Sequence, residues 1–185
     1  MTVARLKKLR IYKLSEVKMA KNWKIRTDLS IEVCGHTLFR IECMQNFKEI
    51  KAGTLGGYIE KEKNLADDAW VYGDARVYDN ARVYGDARVC DNARVYGDAR
   101  VYGDKITDTD DICYISNRYY NITITPLHIK IGCQYHAQEA WWNFTDEQIE
   151  KMDGESAVNF WKIWKEPLKQ ICDAMKKEKG EKDVE

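Results

Sequence analysis

The chain has 185 residues, of which 44% are hydrophobic and 32% are charged. Thirty basic residues balance thirty acidic ones, so the zero formal net charge argues against a chain that is basic throughout and binds nucleic acid along its length. The sequence has no run of eighteen apolar residues, and its N-terminus lacks the apolar region of a signal peptide. We therefore expect a cytoplasmic protein, in a bacterial host, with no membrane partner.

The first segment of the chain is strongly basic. Residues 1 to 26 carry nine Lys or Arg residues and a single acid, Glu16. Such a charge run is typical of a solvated arm or helix face, although it could also contact nucleic acid through the phosphates. We predict a basic arm within an N-terminal region of residues 1–56 and keep nucleic acid open as its partner.

A β-hairpin is predicted after the arm. Apolar residues alternate over residues 31–44, on both sides of the turn formers Cys34-Gly35-His36. The hairpin would complete the N-terminal region and cap the repeat that follows.

Six hexads then follow one another without a gap from Ala69 to Asp104. Their sequences are AWVYGD, ARVYDN, ARVYGD, ARVCDN, ARVYGD and ARVYGD. In each hexad an aliphatic Val is flanked by a small Ala and a pair of turn formers, which predicts a parallel β-solenoid with Val inside and Ala at the corners. A repeat of this kind describes a scaffold more than an activity.

The hexads resemble the hexapeptide-repeat family, whose fold is a left-handed β-helix with eighteen residues per coil and whose members are typically homotrimers. Extending the register back to Ile59 and Leu65 places the repeat domain at residues 57–104, with under three coils. At eighteen-residue spacing the predicted inward stacks are Ile59/Val77/Val95, Leu65/Val83/Val101 and Val71/Val89. The resemblance thus implies a mainly β protein built on a trimeric left-handed β-helix.

A second resemblance covers residues 38–104 and, more loosely, parts of 129–164. The segments L-F-R-I-E-C, K-A-G-T-L-G-G-Y-I-E-K-E-K-N-L and W-V-Y-G-D-A-R-V resemble hexapeptide-repeat proteins encoded in bacteriophages and prophages of intestinal bacteria. This resemblance implies a phage origin and a fold, without a settled activity.

The same spacing predicts ladders of arginine and tyrosine on the outside of two faces. The stacked pairs are Arg76/Arg94, Arg82/Arg100, Tyr78/Tyr96 and Tyr84/Tyr102. Guanidinium groups bind phosphates and tyrosine rings stack on bases, so these eight residues form the predicted ligand-binding site. Alternatively, the arginines could pair with the turn carboxylates Asp74, Asp79, Asp86, Asp91 and Asp98 and only keep the faces soluble.

The third face differs from the other two. It pairs Trp70 with Arg88 and Tyr72 with Cys90, which interrupts the ladder. We predict that this face packs against a specific surface, either a sister subunit or a flanking segment of the chain.

Residues 105–185 are predicted to form a separate α+β module that caps the other end of the repeat. Strands are expected at 112–115, 120–124 and 127–132. A capping box of Thr145 and Gln148 predicts a helix from Asp146, and a second helix from Ser156 would kink at Pro167. Four tryptophans at helical spacing, Trp141, Trp142, Trp161 and Trp164, are expected in its core.

Catalytic and metal-binding patterns are weak in this sequence. A transferase of the hexapeptide class would need a general base, but His36, His128 and His136 all lie outside the hexads and are expected at turns or on the surface. The six cysteines have no C-x-x-C spacing, and Asp104, Asp108, Asp110 and Asp111 do not match a calcium loop, so the aspartates are expected to form a solvated connector. We predict no catalytic residue, cofactor or metal.

The leading hypothesis is a non-catalytic phage protein that sequesters a small anionic nucleotide signal or inhibits a bacterial anti-phage defence factor. One alternative is a hexapeptide-repeat acyl- or nucleotidyl-group transferase. The other is a structural or assembly protein whose solenoid serves only oligomerisation.

Overall fold

A computed structural model describes residues 21–182, with side chains to residue 177. The described part is mainly β, with two α-helices near its C-terminal end. The first ten strands are β1 (Trp23–Val33), β2 (His36–Cys43), β3 (Leu55–Ile59), β4 (Trp70–Val71), β5 (Arg76–Val77), β6 (Arg82–Tyr84), β7 (Arg88–Val89), β8 (Arg94–Val95), β9 (Arg100–Tyr102) and β10 (Lys105–Ile106). The last four are β11 (Cys113–Ile115), β12 (Ile122–Ile124), β13 (His128–Ile131) and β14 (Gln134–Ala137), followed by α1 (Gln138–Asn143) and α2 (Asp146–Lys182).

The predicted hairpin is present as the antiparallel pair β1 and β2. Its first strand begins earlier than expected, so the last residues of the predicted basic arm are strand rather than a solvated arm. Lys24 and Arg26 lie within 3.2 and 2.6 Å of Glu42 across the hairpin, which is why these cations belong to the sheet. Residues 1–20, which hold most of the predicted arm and its possible nucleic-acid contact, lie outside the described residues.

The repeat forms a parallel β-solenoid with the register that its spacing predicted. Strands β3, β5 and β8 pair in parallel, as do β4, β7 and β10, and β6 with β9. The inward stacks are Ile59/Val77/Val95, Val71/Val89/Ile106 and, through an isolated bridge, Leu65/Val83/Val101. All nine side chains are buried, and the stack of Val71 and Val89 continues to Ile106, two residues beyond the predicted end of the repeat.

The turn pairs bend the chain with a left-handed backbone residue every six positions. These residues are Gly73, Asp79, Gly85, Asp91, Gly97 and Gly103, with φ between 55° and 67°. Gly adopts this conformation without cost and Asp tolerates it. The corners of the solenoid therefore explain why each turn pair of the hexads begins with Gly or Asp.

The face that carries Trp70 is covered by a flanking segment of the same chain. Trp70 is 1% exposed and belongs to one buried cluster with Trp23 and Ile50, against which Phe47 packs. Glu49 accepts a hydrogen bond from the Tyr72 hydroxyl at 2.8 Å and lies 2.7 Å from Arg88. Of the two partners predicted for this face, the structure shows the flanking segment.

The C-terminal module begins with an antiparallel sheet in the order β11-β12-β13-β14. Three of these strands were predicted, whereas β14 and the short helix α1 were not. The predicted capping box is present: the Thr145 amide donates to Gln148 Oε1 at 2.9 Å, and the Gln148 amide donates to Thr145 Oγ1 at 3.3 Å. These bonds satisfy amides at the start of α2, where no preceding turn can accept them.

Helix α2 is interrupted just before Ser156, where the second of the two predicted helices was expected to begin, and not at Pro167. Asp153 and Gly154 have non-helical backbone angles, whereas Pro167 lies within the helix. Trp141 and Trp161 are buried in the core of the module, and Trp142 and Trp164 pack against that core, as predicted. Within residues 21–182, none of the helices combines the length and the apolarity needed to cross a bilayer.

Candidate functional site

The structure brings the predicted arginine and tyrosine ladders together in pairs. Arg76 lies beside Arg94 and Arg82 beside Arg100 in the parallel registers of their strands. Tyr84 stacks on Tyr102 with ring centroids 4.7 Å apart, and Tyr78 stacks on Tyr96 at 5.5 Å. Parallel pairing in register explains this, because side chains one coil apart repeat at the strand spacing.

The two ladders differ in how open they are. Tyr78 is only 7% exposed, because its ring packs with Val33 and Leu38 of the hairpin. Tyr96 on the same stack is 50% exposed. The ladder formed by Arg82, Arg100, Tyr84 and Tyr102 is partly exposed at all four positions.

The turn carboxylates do not neutralise the ladder arginines. Asp74 pairs with Arg40 at 2.9 Å, Asp86 with Lys48 at 2.7 Å, and Asp98 accepts a hydrogen bond from the Tyr114 hydroxyl. Among the residues the structure describes, no acidic group lies within ion-pairing distance of Arg76, Arg82, Arg94 or Arg100. Within the described residues, the ladder arginines are therefore not engaged in ion pairs, although Asp98 lines the groove with Arg100.

One ladder runs into a groove between the last coil and the C-terminal sheet. The groove encloses about 480 Å³, a volume in the range of small-ligand sites. Its lining combines cations, hydroxyls and aromatic rings with one acid, and consists of Asp98, Arg100, Tyr102, Tyr119, Tyr120, Asn121, Thr123, Lys130, Gly132 and Cys133. This is the composition expected of a site for an anion that also carries a ring.

The position of Arg100 is fixed by the C-terminal sheet. Its backbone amide donates to Thr123 Oγ1 on β12 at 3.2 Å. Lys130 on β13 donates to the Gly132 carbonyl, and burial, together with the nearby Arg100 charge, lowers the pKa of its amine. The two cations thus repel each other across the groove, and an anion bound between them would relieve that repulsion.

Of the residues that line this groove, the sequence analysis named Arg100 and Tyr102 as ladder residues, but it did not name Thr123 or Lys130. The latter two come from another module, and no repeat or motif marks them. The alternation along β13 shows only that Lys130 points away from the buried Ile129 and Ile131.

A buried carboxylate lies near the same junction. Asp104 is 1% exposed, and its Oδ2 accepts hydrogen bonds from the Thr125 hydroxyl at 2.7 Å and from His128 Nδ1 at 3.0 Å. Asp111 is also buried and accepts from Thr107. The expectation of a wholly solvated connector was therefore wrong for these two aspartates: protein donors surround Oδ2 of each, while Asp104 Oδ1 is buried without a hydrogen-bond partner among the described residues.

The three histidines also have defined contacts instead of free surface positions. His128 stacks on Tyr135 with centroids 4.7 Å apart, and Tyr135 donates to the Tyr102 carbonyl. His136 packs edge-on against Trp141 and Phe144, and its burial lowers the pKa of the imidazole. His36 lies between two carboxylates of the solenoid.

The hexads match a known repeat family. A model described as the YdcK beta solenoid repeat matches residues 69–85, 75–91, 87–103 and 93–106. The matches end at Ile106, the last residue of the sheet formed by β4, β7 and β10. The repeat is therefore that of a β-solenoid family. No curated protein matches the chain.

Proposed function

We propose that this protein binds a small anionic ligand of the nucleotide class, without catalysis, at the ladder of Arg82, Arg100, Tyr84 and Tyr102 and in the adjoining groove. The observation that carries the proposal is that, among the described residues, no ladder arginine forms an ion pair, while the turn carboxylates Asp74, Asp86 and Asp98 contact other groups. A phosphate would supply the missing charge through bidentate contacts, and the tyrosines would stack on a base.

The resemblance to phage-encoded proteins supports a biological role for such binding. A phage protein that sequesters a nucleotide signal, or that inhibits a host defence factor, would need a pre-formed site but no catalytic group. We also propose the left-handed coil and the homotrimer that the hexapeptide resemblance implies. In a trimer, ladders of neighbouring subunits would line three equivalent clefts.

Titration calorimetry with a panel of mononucleotides and cyclic nucleotides tests the site. We expect Arg100→Ala and Lys130→Ala each to weaken binding of the preferred nucleotide about 10- to 100-fold, because each removes a charge-assisted hydrogen bond. Arg94→Ala is the matched control: it removes the same charge at the same repeat position, on the other ladder.

The three variants separate the possible outcomes. Loss of binding in Arg94→Ala alone would transfer the site to the ladder of Arg76, Arg94, Tyr78 and Tyr96. Unchanged binding in all three variants would refute both ladders. Failure of the whole panel to bind would leave the structural or assembly role as the better reading.

A transferase is the second candidate. Asp104 is a buried carboxylate that accepts a hydrogen bond from His128, and a carboxylate in this position commonly orients a histidine that acts as a general base. His128 and Lys130 are alternate residues of β13, so they share one face of the strand, next to the groove. His128→Ala should abolish any acyl or nucleotidyl transfer, while His136→Ala, whose ring packs on Trp141 and Phe144, should retain it. Nucleotide binding that survives His128→Ala, with no turnover in the parent, favours the non-catalytic reading.

A further inference from the structure

Three chemically suitable side chains meet where the hairpin joins the solenoid. His36 starts β2, Glu60 follows β3, and Asp79 occupies the corner after β5. His36 Nδ1 lies 3.2 Å from Glu60 Oε1, and His36 Nε2 lies 3.2 Å from Asp79 Oδ1. One possible ligand atom from each residue lies within 4.8 Å of the other two.

Backbone donors hold both carboxylates in this arrangement. The Asp79 amide donates to Glu60 Oε2 at 2.7 Å, and the Gly97 amide donates to Asp79 Oδ2 at 3.3 Å. The second oxygen of each carboxylate is therefore left facing the imidazole. Partial burial acts to raise the pKa of Glu60, but the His36 and Asp79 hydrogen bonds outweigh it, so the pKa is lowered and the group stays ionised.

The charge and donor set fit a divalent transition-metal ion. One imidazole nitrogen and two carboxylate oxygens are ligands of Zn²⁺ and Mn²⁺, at about 2.0 to 2.2 Å from the ion. Ligand atoms around one such ion lie about 3 to 3.5 Å apart. The contact of His36 Nδ1 with Glu60 Oε1 at 3.2 Å has this spacing, whereas Asp79 Oδ1 faces the other ring nitrogen, Nε2. The ion would take one ring nitrogen, so the carboxylate at the other nitrogen must shift by a small rotation of its side chain.

The surroundings leave the site accessible. The side chains of His36, Glu60 and Asp79 are 30%, 25% and 35% exposed, so water can reach an ion and complete its coordination. Lys61 is the nearby cation, with Nζ 3.6 Å from Glu60 Oε2, the oxygen turned away from His36. Two carboxylates against this one lysine therefore favour a cation at the site.

We propose that His36, Glu60 and Asp79 form a site for a divalent transition-metal ion such as Zn²⁺, which links the hairpin to the corner of the solenoid after β5. No sequence pattern predicted this site, because the three residues are 24 and 19 positions apart and belong to no ligand motif. The site is independent of the ladder groove, whose residues come from the last coil and the C-terminal sheet.

The experiment titrates ZnCl₂, and separately MnCl₂, into chelator-treated full-length protein by calorimetry, with thermal unfolding measured in parallel. We expect saturable binding of one ion per chain and a rise in melting temperature of about 5 °C or more at saturation. Asp79→Asn and Glu60→Gln should each weaken binding at least about 10-fold and remove most of the rise in melting temperature.

Asp91→Asn is the matched control. Asp91 has the same repeat position and nearly the same φ as Asp79, 57° against 58°, but it lies outside the cluster. This variant should bind metal as the parent does. Exposed thiols at Cys34 and Cys133 are common to every variant and cannot produce a difference between them.

Two results would overturn the site. One is equal binding by the parent and by Asp79→Asn, and the other is the absence of saturable binding in the parent. In the second case His36 would only bridge the two carboxylates by hydrogen bonds. Circular dichroism of each metal-free variant checks that loss of binding does not reflect loss of fold.

Discussion

A single residue, Trp70, departs from the hexad pattern where the other five hexads carry Arg. In the fold it is 1% exposed and lies beneath the segment that contains Phe47 and Ile50. The outward positions of a solenoid are normally exposed and tolerate charge. A Trp where the other hexads have Arg therefore indicates that this position is covered. This deviation from the repeat therefore identifies the covered face of the solenoid, which the regular hexads alone do not.

Restoring the repeat at this residue should destabilise the protein. Consensus substitutions commonly stabilise a repeat, but Trp70→Arg would bury an unpaired charge and lose a large apolar side chain. We expect a loss of about 3 kcal/mol or more in the free energy of unfolding, measured by urea denaturation. Trp70→Phe, which keeps an apolar ring, should lose about 1 to 2 kcal/mol. A Trp70→Arg protein as stable as the parent would show that the flanking segment does not cover this face in solution.

Among the elements, β3 connects two kinds of sheet. It pairs antiparallel with β2 of the hairpin and parallel with β5 of the solenoid. Gly57 lies in this strand with its Cα turned inward: a Cβ added there would stand 2.5 Å from Val71 Cγ1 and 2.6 Å from the Ala75 carbonyl oxygen. The backbone of β3 at position 57 can therefore lie this close to the first coil only if the residue is glycine.

Gly57→Ala should disrupt the entry of the chain into the solenoid. The added methyl meets backbone that cannot move without breaking the first coil, so we expect a loss of about 2 to 4 kcal/mol in urea unfolding. Gly53→Ala is the control, because its Cβ would meet nothing within 4 Å and only its φ of 84° opposes alanine. That variant should lose about 1 kcal/mol. Equal losses in the two variants would contradict the close packing at β3.

Elements with a local period were predictable, and contacts between elements were not. The valine stacks follow from a spacing of six, and the capping box at Thr145 follows from two residues three apart. Lys130 and Arg100 line the same groove only because the C-terminal antiparallel sheet packs on the last coil. His36 contacts Asp79 only because the hairpin packs on the solenoid. Strand β14 was missed because Gln134 to Ala137 lacks alternating burial, with every residue partly or fully exposed.

For the whole molecule, the surfaces that remain open decide how copies could associate. One solenoid face is covered by the segment around Glu49, and another is partly covered by the hairpin over Tyr78. The ladder of Arg82 and Arg100 is partly exposed, as is Tyr96 at 50%. Stacked arginines on an open face would repel a neighbouring copy unless an anion lies between them, so assembly and ligand binding should be coupled.

The proposed homotrimer is therefore expected to be most stable when ligand is bound. Native mass spectrometry of protein purified from a bacterial host should give three times the chain mass of 21.6 kDa, with co-purified phosphorylated compound that is released on denaturation. Stripping that compound should shift the population towards monomer at low ionic strength, because the arginine repulsion is then unscreened, and added salt should restore part of the trimer. Sedimentation velocity at two protein concentrations checks the masses in solution. A monomer under all of these conditions would refute the trimer, and a trimer that is indifferent to ligand and salt would show that the ladders do not face one another across its interfaces.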